Sequence, residues 1–249
     1  MSAPVFICPA VADAVAGDVV TLGGAEARHA ATVQRRREGD RLDLVDGAGK
    51  RASGTIVAVR DGELDVEITD TSHDDDPPIT LIQALAKAGR DEQAVESATE
   101  LGVTRIVPWA AERSIVQWKG PKAAKGRAQW LSLTTAATKQ SRRALIPHVD
   151  EVHSSAAVEN AVSAAVTRGE RVLVLHEVAA TPLASLTWAD PRQALWLIVG
   201  PEGGITDAEV ERFTQAGAEA VVLGPHVLRA SSAGPAAIAA IAMARGTWR

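Results

Sequence analysis

Two consecutive prolines, Pro77 and Pro78, separate two parts of the chain that have different hydrophobic periodicities. Before them, short apolar segments such as RLDLV and GTIVAV alternate with polar residues, and the turn dipeptides Asp46-Gly47 and Asp61-Gly62 separate the segments. This pattern is typical of β-strands joined by hairpins. Because proline lacks a backbone donor and fixes its own φ, the proline pair interrupts regular structure. The sequence therefore predicts a small β-barrel or sandwich that ends near His73.

After the prolines, strand-like and helix-like segments alternate. The short apolar runs ITLIQAL, VTRIVPW, RVLVLH and ALWLIVG are typical of buried strands, whereas DEQAVESATELG and TDAEVERFTQAG have helical spacing. The second of these helices begins with a capping box formed by Thr206 and Glu209. Such alternation indicates an α/β domain with a mostly parallel sheet flanked by helices. We predict a β domain over 1–73 and an α/β domain over 78–249.

The composition and the absence of several motifs exclude some classes of protein. No apolar run approaches the roughly 20 residues that a membrane-spanning helix needs, and 46% of the 249 residues are hydrophobic, which is enough for real cores. We therefore expect a soluble, cytoplasmic protein with no membrane partner. Cys8 is the single cysteine, which excludes internal disulfides and multi-cysteine zinc sites, and we expect no metal. The glycine-rich turn is neither a dinucleotide nor a Walker motif, which disfavours a nicotinamide or ATP site.

The basic residues are unevenly distributed. The formal net charge is -5, which as an average disfavours binding to nucleic acid. One basic cluster occupies a stretch without acidic residues and comprises Arg113, Lys119, Lys122, Lys125, Arg127, Lys139, Arg142 and Arg143. A second comprises Arg28, Arg35, Arg36 and Arg37. Each cluster alone is equally consistent with a solvated face, but together they favour a surface that binds a polyanion.

The segment VGPEGGITDAEVERF runs from a buried strand through a glycine-rich turn into a capped helix. Ligands of open α/β sheets bind beyond the carboxyl ends of the strands, often at helix N-termini. The glycines allow backbone amides to approach a ligand, although an ordinary tight connection is an equal alternative on the glycines alone. A second strand ends in LGPHVLRASSAG, where Arg229 begins a helix. Since a cation there opposes the helix dipole, we interpret Arg229 as a ligand for an anion.

Several segments resemble, in order and along nearly the whole chain, the RsmE family of bacterial 16S ribosomal RNA uridine-N3 methyltransferases within the SPOUT superfamily. These segments are ARHAATVQRRREGDRL, KAGRDEQAVESATELGV, TELGVTRIVPWAAERS, ATKQSRRALIPHV, LVLHE, GPEGG and LGPHVLRASSA. The chain departs from the usual pattern at Lys139-Gln140 and at Ala230-Ser231-Ser232.

The resemblance implies a PUA-like β-barrel in the first domain and, in the second, a SPOUT α/β domain with a deep trefoil knot. It also implies S-adenosylmethionine as the cofactor, a homodimer with the active site at the subunit interface, and 16S rRNA or the 30S ribosomal subunit as the partner. Carried onto this chain, the cofactor pocket comprises Leu175, His176, Val199, Gly200, Pro201, Gly203, Gly204, Ile205, Leu223, Gly224, Val227 and Leu228.

Methyl transfer to uracil N3 requires removal of a weakly acidic proton and alignment of the nitrogen with the methyl group. We predict that Arg229 stabilises the uracil carbonyl as anionic character develops, and Glu202 and His176 are candidates for the general base. Arg113 or Arg143 is expected to reach the RNA from the facing subunit. The residues expected to bind RNA are Arg28, Arg35, Arg36, Arg37, Arg113, Lys139, Arg142 and Arg143. Trp118 and Trp130 are candidates for stacking on bases, although a place in the core or dimer interface is the favoured interpretation.

Three alternatives stay open. The first is a noncatalytic RNA-binding protein, such as a ribosome assembly factor, whose knot has lost its affinity for the cofactor. The second is a SPOUT methyltransferase that acts on another RNA position, such as a ribose 2′-hydroxyl. The third, a metabolic enzyme with a small-molecule substrate, is disfavoured by the basic clusters and the separate β domain.

Overall fold

The computed structural model describes residues 3–60 and 62–248. They form two compact units, the first drawn from 1–75 and 135–146 and the second from 76–134 and 147–249. The predicted division differs from these units in the segment 135–146, which is distant in sequence from the rest of the first unit. The structure describes no helix that is long and apolar enough to cross a membrane.

The first unit is built on a five-stranded sheet. Its strands are β1 (Val5–Ile7), β2 (Val19–Leu22), β3 (Arg41–Val45), β4 (Lys50–Arg60) and β5 (Glu63–His73). Their order is β1-β3-β4-β5-β2, and every pair is antiparallel except β1 with β3. The predicted turn at Asp46-Gly47 lies between β3 and β4, where the Asp46 carboxylate accepts hydrogen bonds from the backbone of Ala48 and Lys50. Asp61, in the other predicted turn, lies outside the described residues.

One short helix and one distant segment complete the first unit. Helix α1 (Gly24–Arg28) continues into a π-helical turn over His29–Val33. Residues 135–146 belong here because Leu145 forms β-bridges with Gly47 and Ala48. The Arg51 guanidinium also donates to the carbonyl of Arg142 at 2.7 Å. These bonds join positions nearly a hundred residues apart, so the local sequence pattern carries no signal for them.

The second unit contains a parallel sheet. Its strands are β6 (Ile79–Ala84), β7 (Arg105–Ala110), β8 (His148–Val149), β9 (His153–Ser154), β10 (Arg171–Leu175), β11 (Thr181–Pro182), β12 (Leu195–Val199) and β13 (Glu219–Val222). The main path of the sheet is β11-β13-β10-β12-β6-β7-β8, and β9 pairs with β7. Every pair is parallel, which confirms the predicted sheet type. The trefoil knot stays a prediction, since strand order alone does not define a threaded loop.

Helices cover both faces of this sheet. They are α2 (Arg90–Glu100), α3 (Pro121–Ser141), α4 (Ser155–Thr167), α5 (Asp207–Gln215) and α6 (Ala230–Arg245), and the last residues of α3, 135–141, belong to the first unit. Apolar residues of α2 and α6 pack on one face of the sheet, and those of α4 and α5 pack on the other. Such burial on both faces explains why the strands are continuous apolar runs.

Trp118 and Trp130, which lie in the sequence between the basic residues of 113–143, belong to the packing of the second unit. Trp130 is 1% exposed, and its ring meets the ring of Trp118 edge-on with centroids 5.1 Å apart. Both contact the core on the α2 and α6 face. The structure therefore supports a role for both tryptophans in core packing.

Candidate active site

The loops predicted to bind the ligand lie at one edge of the parallel sheet. Strands β6, β10, β12 and β13 are consecutive in the order β13-β10-β12-β6, and all run in the same direction. Their carboxyl ends therefore meet at one edge. The predicted cofactor residues follow three of these strands, at 175–176, 199–205 and 223–228. The structure brings together residues that are up to about fifty positions apart in sequence.

The glycine-rich loop after β12 has a conformation that its glycines make possible. A Cβ atom on Gly200 would lie 2.6 Å from Cγ1 of Ile205, a separation that atoms do not tolerate without displacement. Gly204 has φ +75°, in the left-handed region that glycine adopts at little cost. The loop ends at Thr206, where the predicted capping box is present with both of its hydrogen bonds. The loop is thus tightly turned and fixed at its helical end.

The loop after β13 is the more open part of the edge. Val227 is 75% exposed and Leu228 is 41% exposed, although both are large apolar residues. Arg229 is the N-cap residue of α6 and makes no side-chain capping bond. Arg229 is exposed, and it directly precedes the first backbone amides of α6. The position thus combines two features that suit an anionic group.

The Glu202 carboxylate links the glycine-rich loop to the loop after β6. Its Oε1 accepts hydrogen bonds from the backbone N of Lys87 at 3.1 Å and from Nη1 of Arg90 at 3.2 Å. The chain turns sharply there, because Ala88 and Gly89 both have positive φ. Sequence reasoning missed Lys87 and Arg90, and the available signal was their position directly after the apolar strand ITLIQAL.

A second carboxylate holds the same loop from the start of α2. Asp91 is 5% exposed, and its Oδ2 accepts a hydrogen bond from the backbone N of Ala86 at 3.1 Å. Burial raises the pKa of Asp91, and the backbone hydrogen bonds from Ala86 and Glu92 lower it by a smaller amount. The loop after β6 is therefore fixed at two points, by Asp91 and by Glu202.

Arg113 contacts the glycine-rich loop of its own chain. Its Nη1 donates to the carbonyl of Gly203 at 3.1 Å. A Cβ atom on Gly203 would lie 3.1 Å from Cβ of Arg113, so the glycine allows this close approach. The arginine thus stands beside the predicted cofactor loop.

The other residues predicted to bind RNA differ in their surroundings. Arg28, Arg35 and Arg37 are exposed, and Arg36 is half-buried with its Nε donating to Gln34. Lys139 forms a 2.6 Å ion pair with Glu26, which compensates its charge. Arg142 is exposed with φ +60°, whereas Arg143 is only 8% exposed. The three exposed arginines near α1 are the strongest of these candidates for contact with phosphate.

Comparisons with known proteins identify the family. A model described as RNA methyltransferase domain matches residues 74–242, and one described as RNA methyltransferase PUA domain matches residues 22–69. A Mycobacterium bovis protein named ribosomal RNA small subunit methyltransferase E is 40% identical over 234 residues, which are 93% of this chain and 89% of that protein. This chain belongs to the ribosomal RNA small subunit methyltransferase E family.

Other members of the methyltransferase E family agree with this assignment. The Bacillus subtilis protein of that name is 30% identical over 230 residues, covering 89% of this chain and 88% of its own length. A crystal structure of the Neisseria gonorrhoeae protein bound to S-adenosyl methionine is 31% identical, with a TM-score of 0.84 over 97% of this chain and 98% of that one. The predicted family is confirmed, as is the fold class of a small PUA-like sheet followed by an α/β methyltransferase domain with a parallel sheet.

Proposed function

We propose that this protein transfers a methyl group from S-adenosylmethionine to N3 of a specific uridine in the 16S rRNA of the small ribosomal subunit. We place this reaction in the cytoplasm and assign it to a homodimer. The observation that carries the proposal is the convergence of the glycine-rich loop, the apolar Val227-Leu228 pair and Arg229 at one edge of the sheet. The family membership supports RNA as the substrate class.

The chemistry of this edge fits S-adenosylmethionine. Val227 and Leu228 offer apolar surface to its base, and a Cβ atom on Gly224 would meet nothing within 4 Å, so that position has open space. Gln83, next to the last residue of β6, has a buried Oε1 without a hydrogen-bond partner among the described residues. The cofactor carries an amino group, which is a suitable hydrogen-bond donor for such an oxygen. The Neisseria gonorrhoeae relative binds this cofactor.

Binding involves the three loops at this edge. We assign the cofactor to Leu175, His176, Val199, Gly200, Pro201, Gly203, Gly204, Ile205, Leu223, Gly224, Val227 and Leu228. When bound, the cofactor supplies an electrophilic methyl group. The loops hold that group in one direction, and such alignment supplies several kcal/mol of the barrier reduction.

Arg229 stabilises the uracil as its N3 proton leaves. The negative charge that develops is shared with the two carbonyl oxygens of the ring. An exposed guanidinium at the N-cap of α6 can donate charge-assisted hydrogen bonds to such an oxygen. We therefore assign the oxyanion-stabilising role to Arg229.

We assign proton removal to His176 rather than to Glu202. The Glu202 carboxylate is paired with Arg90 at 3.2 Å and accepts a backbone hydrogen bond from Lys87, so its contacts serve to hold the loop after β6. His176 is half-buried and follows β10 at the same edge of the sheet. Glu202 then acts by holding the loop after β6.

Replacing Glu202 by glutamine distinguishes these two roles. We expect Glu202→Gln to keep kcat within about threefold, because an amide oxygen still accepts the two hydrogen bonds. Glu202→Ala, which cannot accept them, should lower kcat by about tenfold. The measurement is methyl transfer under saturating substrate as a function of pH. A loss of 100-fold or so in Glu202→Gln, together with loss of the acidic limb of the pH profile, would instead identify Glu202 as the general base.

The RNA is held by accessible basic residues. Arg28, Arg35, Arg36 and Arg37 form the first surface, and Arg113, Lys139 and Arg142 form the second. Their cationic groups neutralise phosphates and release condensed counterions. Of the two arginines expected to reach the RNA, Arg113 is exposed whereas Arg143 is only 8% exposed, so we assign the contact to Arg113.

Neutralising Arg35, Arg36 and Arg37 together tests the first surface. We expect the triple substitution to glutamine to weaken binding to 16S rRNA and to reduce the slope of log K against log salt by about two to three. The measurement is a titration of labelled RNA at several salt concentrations. The control is Arg168→Gln with Arg212→Gln, two arginines that pair with Glu170 and Glu159 and should leave the slope unchanged. An unchanged slope in the triple variant would remove this cluster from the interface.

Binding and transfer together test the proposed function. The purified protein is titrated with S-adenosylmethionine by calorimetry and is then incubated with the labelled cofactor and small subunits from cells that lack the protein. The proposal predicts saturable binding and transfer of label to the RNA. Failure to bind the cofactor would favour the noncatalytic assembly factor, and binding with no transfer to this RNA would contradict the assigned substrate.

A further inference from the structure

The buried carboxylate of Glu209, on the first turn of α5, makes more contacts than a helix cap requires. It is 0% exposed. Its Oε2 accepts hydrogen bonds from the backbone N and the Oγ1 of Thr206, both at 3.1 Å, as a capping box does. Its Oε1 accepts from two groups outside α5, the Ser155 hydroxyl at 2.6 Å and the backbone N of Glu112 at 2.9 Å. One carboxylate thus joins three segments of the chain.

Two of these segments belong to the proposed active site. Thr206 ends the glycine-rich loop, and Glu112 directly precedes Arg113. The Thr206 hydroxyl lies 3.1 Å from Oε2 of Glu112, so the two segments also meet directly. Arg113 in turn donates to the carbonyl of Gly203 within that loop. The contacts therefore form a closed path from Glu209 through Glu112 and Arg113 to the glycine-rich loop and back through Thr206.

The third segment anchors this path in the core. Ser155 is the first residue of α4, and its hydroxyl accepts a hydrogen bond from Nε1 of Trp109 at 3.2 Å. Trp109 is 0% exposed and packs edge-on against Phe213 of α5. Because Glu209 is bound at one end to this rigid core, it can hold the exposed Arg113 segment in one place relative to the loop.

We propose that Glu209 is a positioning residue that fixes Arg113 against the cofactor loop, so that the RNA contact and the cofactor site keep one relative geometry. The inference rests on the proposed function for the roles of Arg113 and of the loop. Glu209 itself is fully buried and contacts neither substrate. A cap alone would need the bonds to Thr206, whereas the bond to Glu112 has no part in starting α5.

A double-mutant cycle on RNA affinity tests this inference. The variants are Glu209→Gln, Arg113→Ala and the two combined, and the measurement is the dissociation constant for 16S rRNA at one salt concentration. In Glu209→Gln an amide NH2 faces donors, so the Glu112 or Thr206 bonds break. We expect each single change to weaken binding by about tenfold, and the double change by about the same factor rather than by about 100-fold. Losses that multiply, or unaltered RNA affinity in Glu209→Gln, would overturn the proposal.

Three further variants separate positioning from stability. Val162→Ala removes core packing on the face of the sheet that carries α5 and should lower the melting temperature without changing RNA affinity. Glu211→Gln is an exposed change on the same helix and should alter neither quantity. If Glu209→Gln does not fold, Thr206→Ala replaces it in the cycle, with Thr206→Ser as the variant that keeps the hydroxyl. We expect Thr206→Ala to show the same coupling to Arg113, and Thr206→Ser to restore the affinity.

The cycle also distinguishes failure of this inference from failure of the proposed function. RNA affinity is measured without methyl transfer, so the coupling between Glu209 and Arg113 can be present even where no label is transferred. Conversely, the wild-type protein can transfer the methyl group normally while the losses of RNA affinity in the cycle multiply. That result would contradict the positioning role of Glu209 and leave the proposed function intact.

Discussion

Arg229→Ala is expected to lower the rate of methyl transfer by about 100- to 1000-fold while leaving the affinity for S-adenosylmethionine nearly unchanged. Loss of a donor to a developing oxyanion has an effect of this size. The cofactor affinity is retained because the glycine-rich loop and the apolar pair do not depend on the guanidinium. Single-turnover transfer and calorimetric titration measure the two quantities separately.

A conservative change sharpens this prediction. Arg229→Lys keeps the positive charge but not the planar, forked donor, so we expect partial activity between that of the wild type and that of Arg229→Ala. Arg212→Ala serves as the control, since Arg212 is an α5 arginine that pairs with Glu159. Near-normal turnover in Arg229→Ala would remove Arg229 from the catalytic assignment.

The second large effect is expected from Gly200→Val, which should weaken cofactor binding by about 10- to 100-fold. The added side chain would overlap Ile205, whose Cγ1 lies 2.6 Å from the Cβ position and whose backbone N lies 3.3 Å from it. The glycine-rich loop must then move away from its present conformation. Calorimetric titration with S-adenosylmethionine measures the loss.

Two companion variants show whether the loop geometry is the cause. Adding Ile205→Ala to Gly200→Val removes the overlapping side chain and should restore part of the affinity. Gly23→Ala is the matched control, because its Cβ would lie 3.4 Å from the Glu63 carboxylate and its φ of -120° suits any residue. Unchanged cofactor affinity in Gly200→Val would show that the cofactor does not use this loop.

That the predicted loops lie at one edge of the sheet could be predicted, because this depends on local patterns. Each predicted loop directly follows an apolar strand, and parallel strands end at a common edge. The capping box at Thr206 and Glu209 was likewise visible from the spacing of two residues. The sequence therefore defined the elements of the second unit and the loops that carry the proposed site.

The contacts between these loops could not be predicted, because they depend on long-range packing. Glu202 accepts a hydrogen bond from Lys87 in the loop after β6, and the two residues are 115 positions apart in the sequence. The Glu209 bond to Glu112 spans 97 positions. Nothing local shows that Glu26, 113 positions earlier, forms an ion pair with Lys139. Side-chain partners of this kind are set by the folded arrangement of the elements.

The most direct test of the account is to identify the methylated atom. Small subunits from cells that lack the protein are incubated with it and with labelled S-adenosylmethionine, and the 16S rRNA is digested for nucleoside and fragment mass spectrometry. The account predicts that the label appears as 3-methyluridine at one position. Label on a ribose 2′-hydroxyl or on another base would contradict the proposed reaction, and so would no incorporation by protein that binds the cofactor.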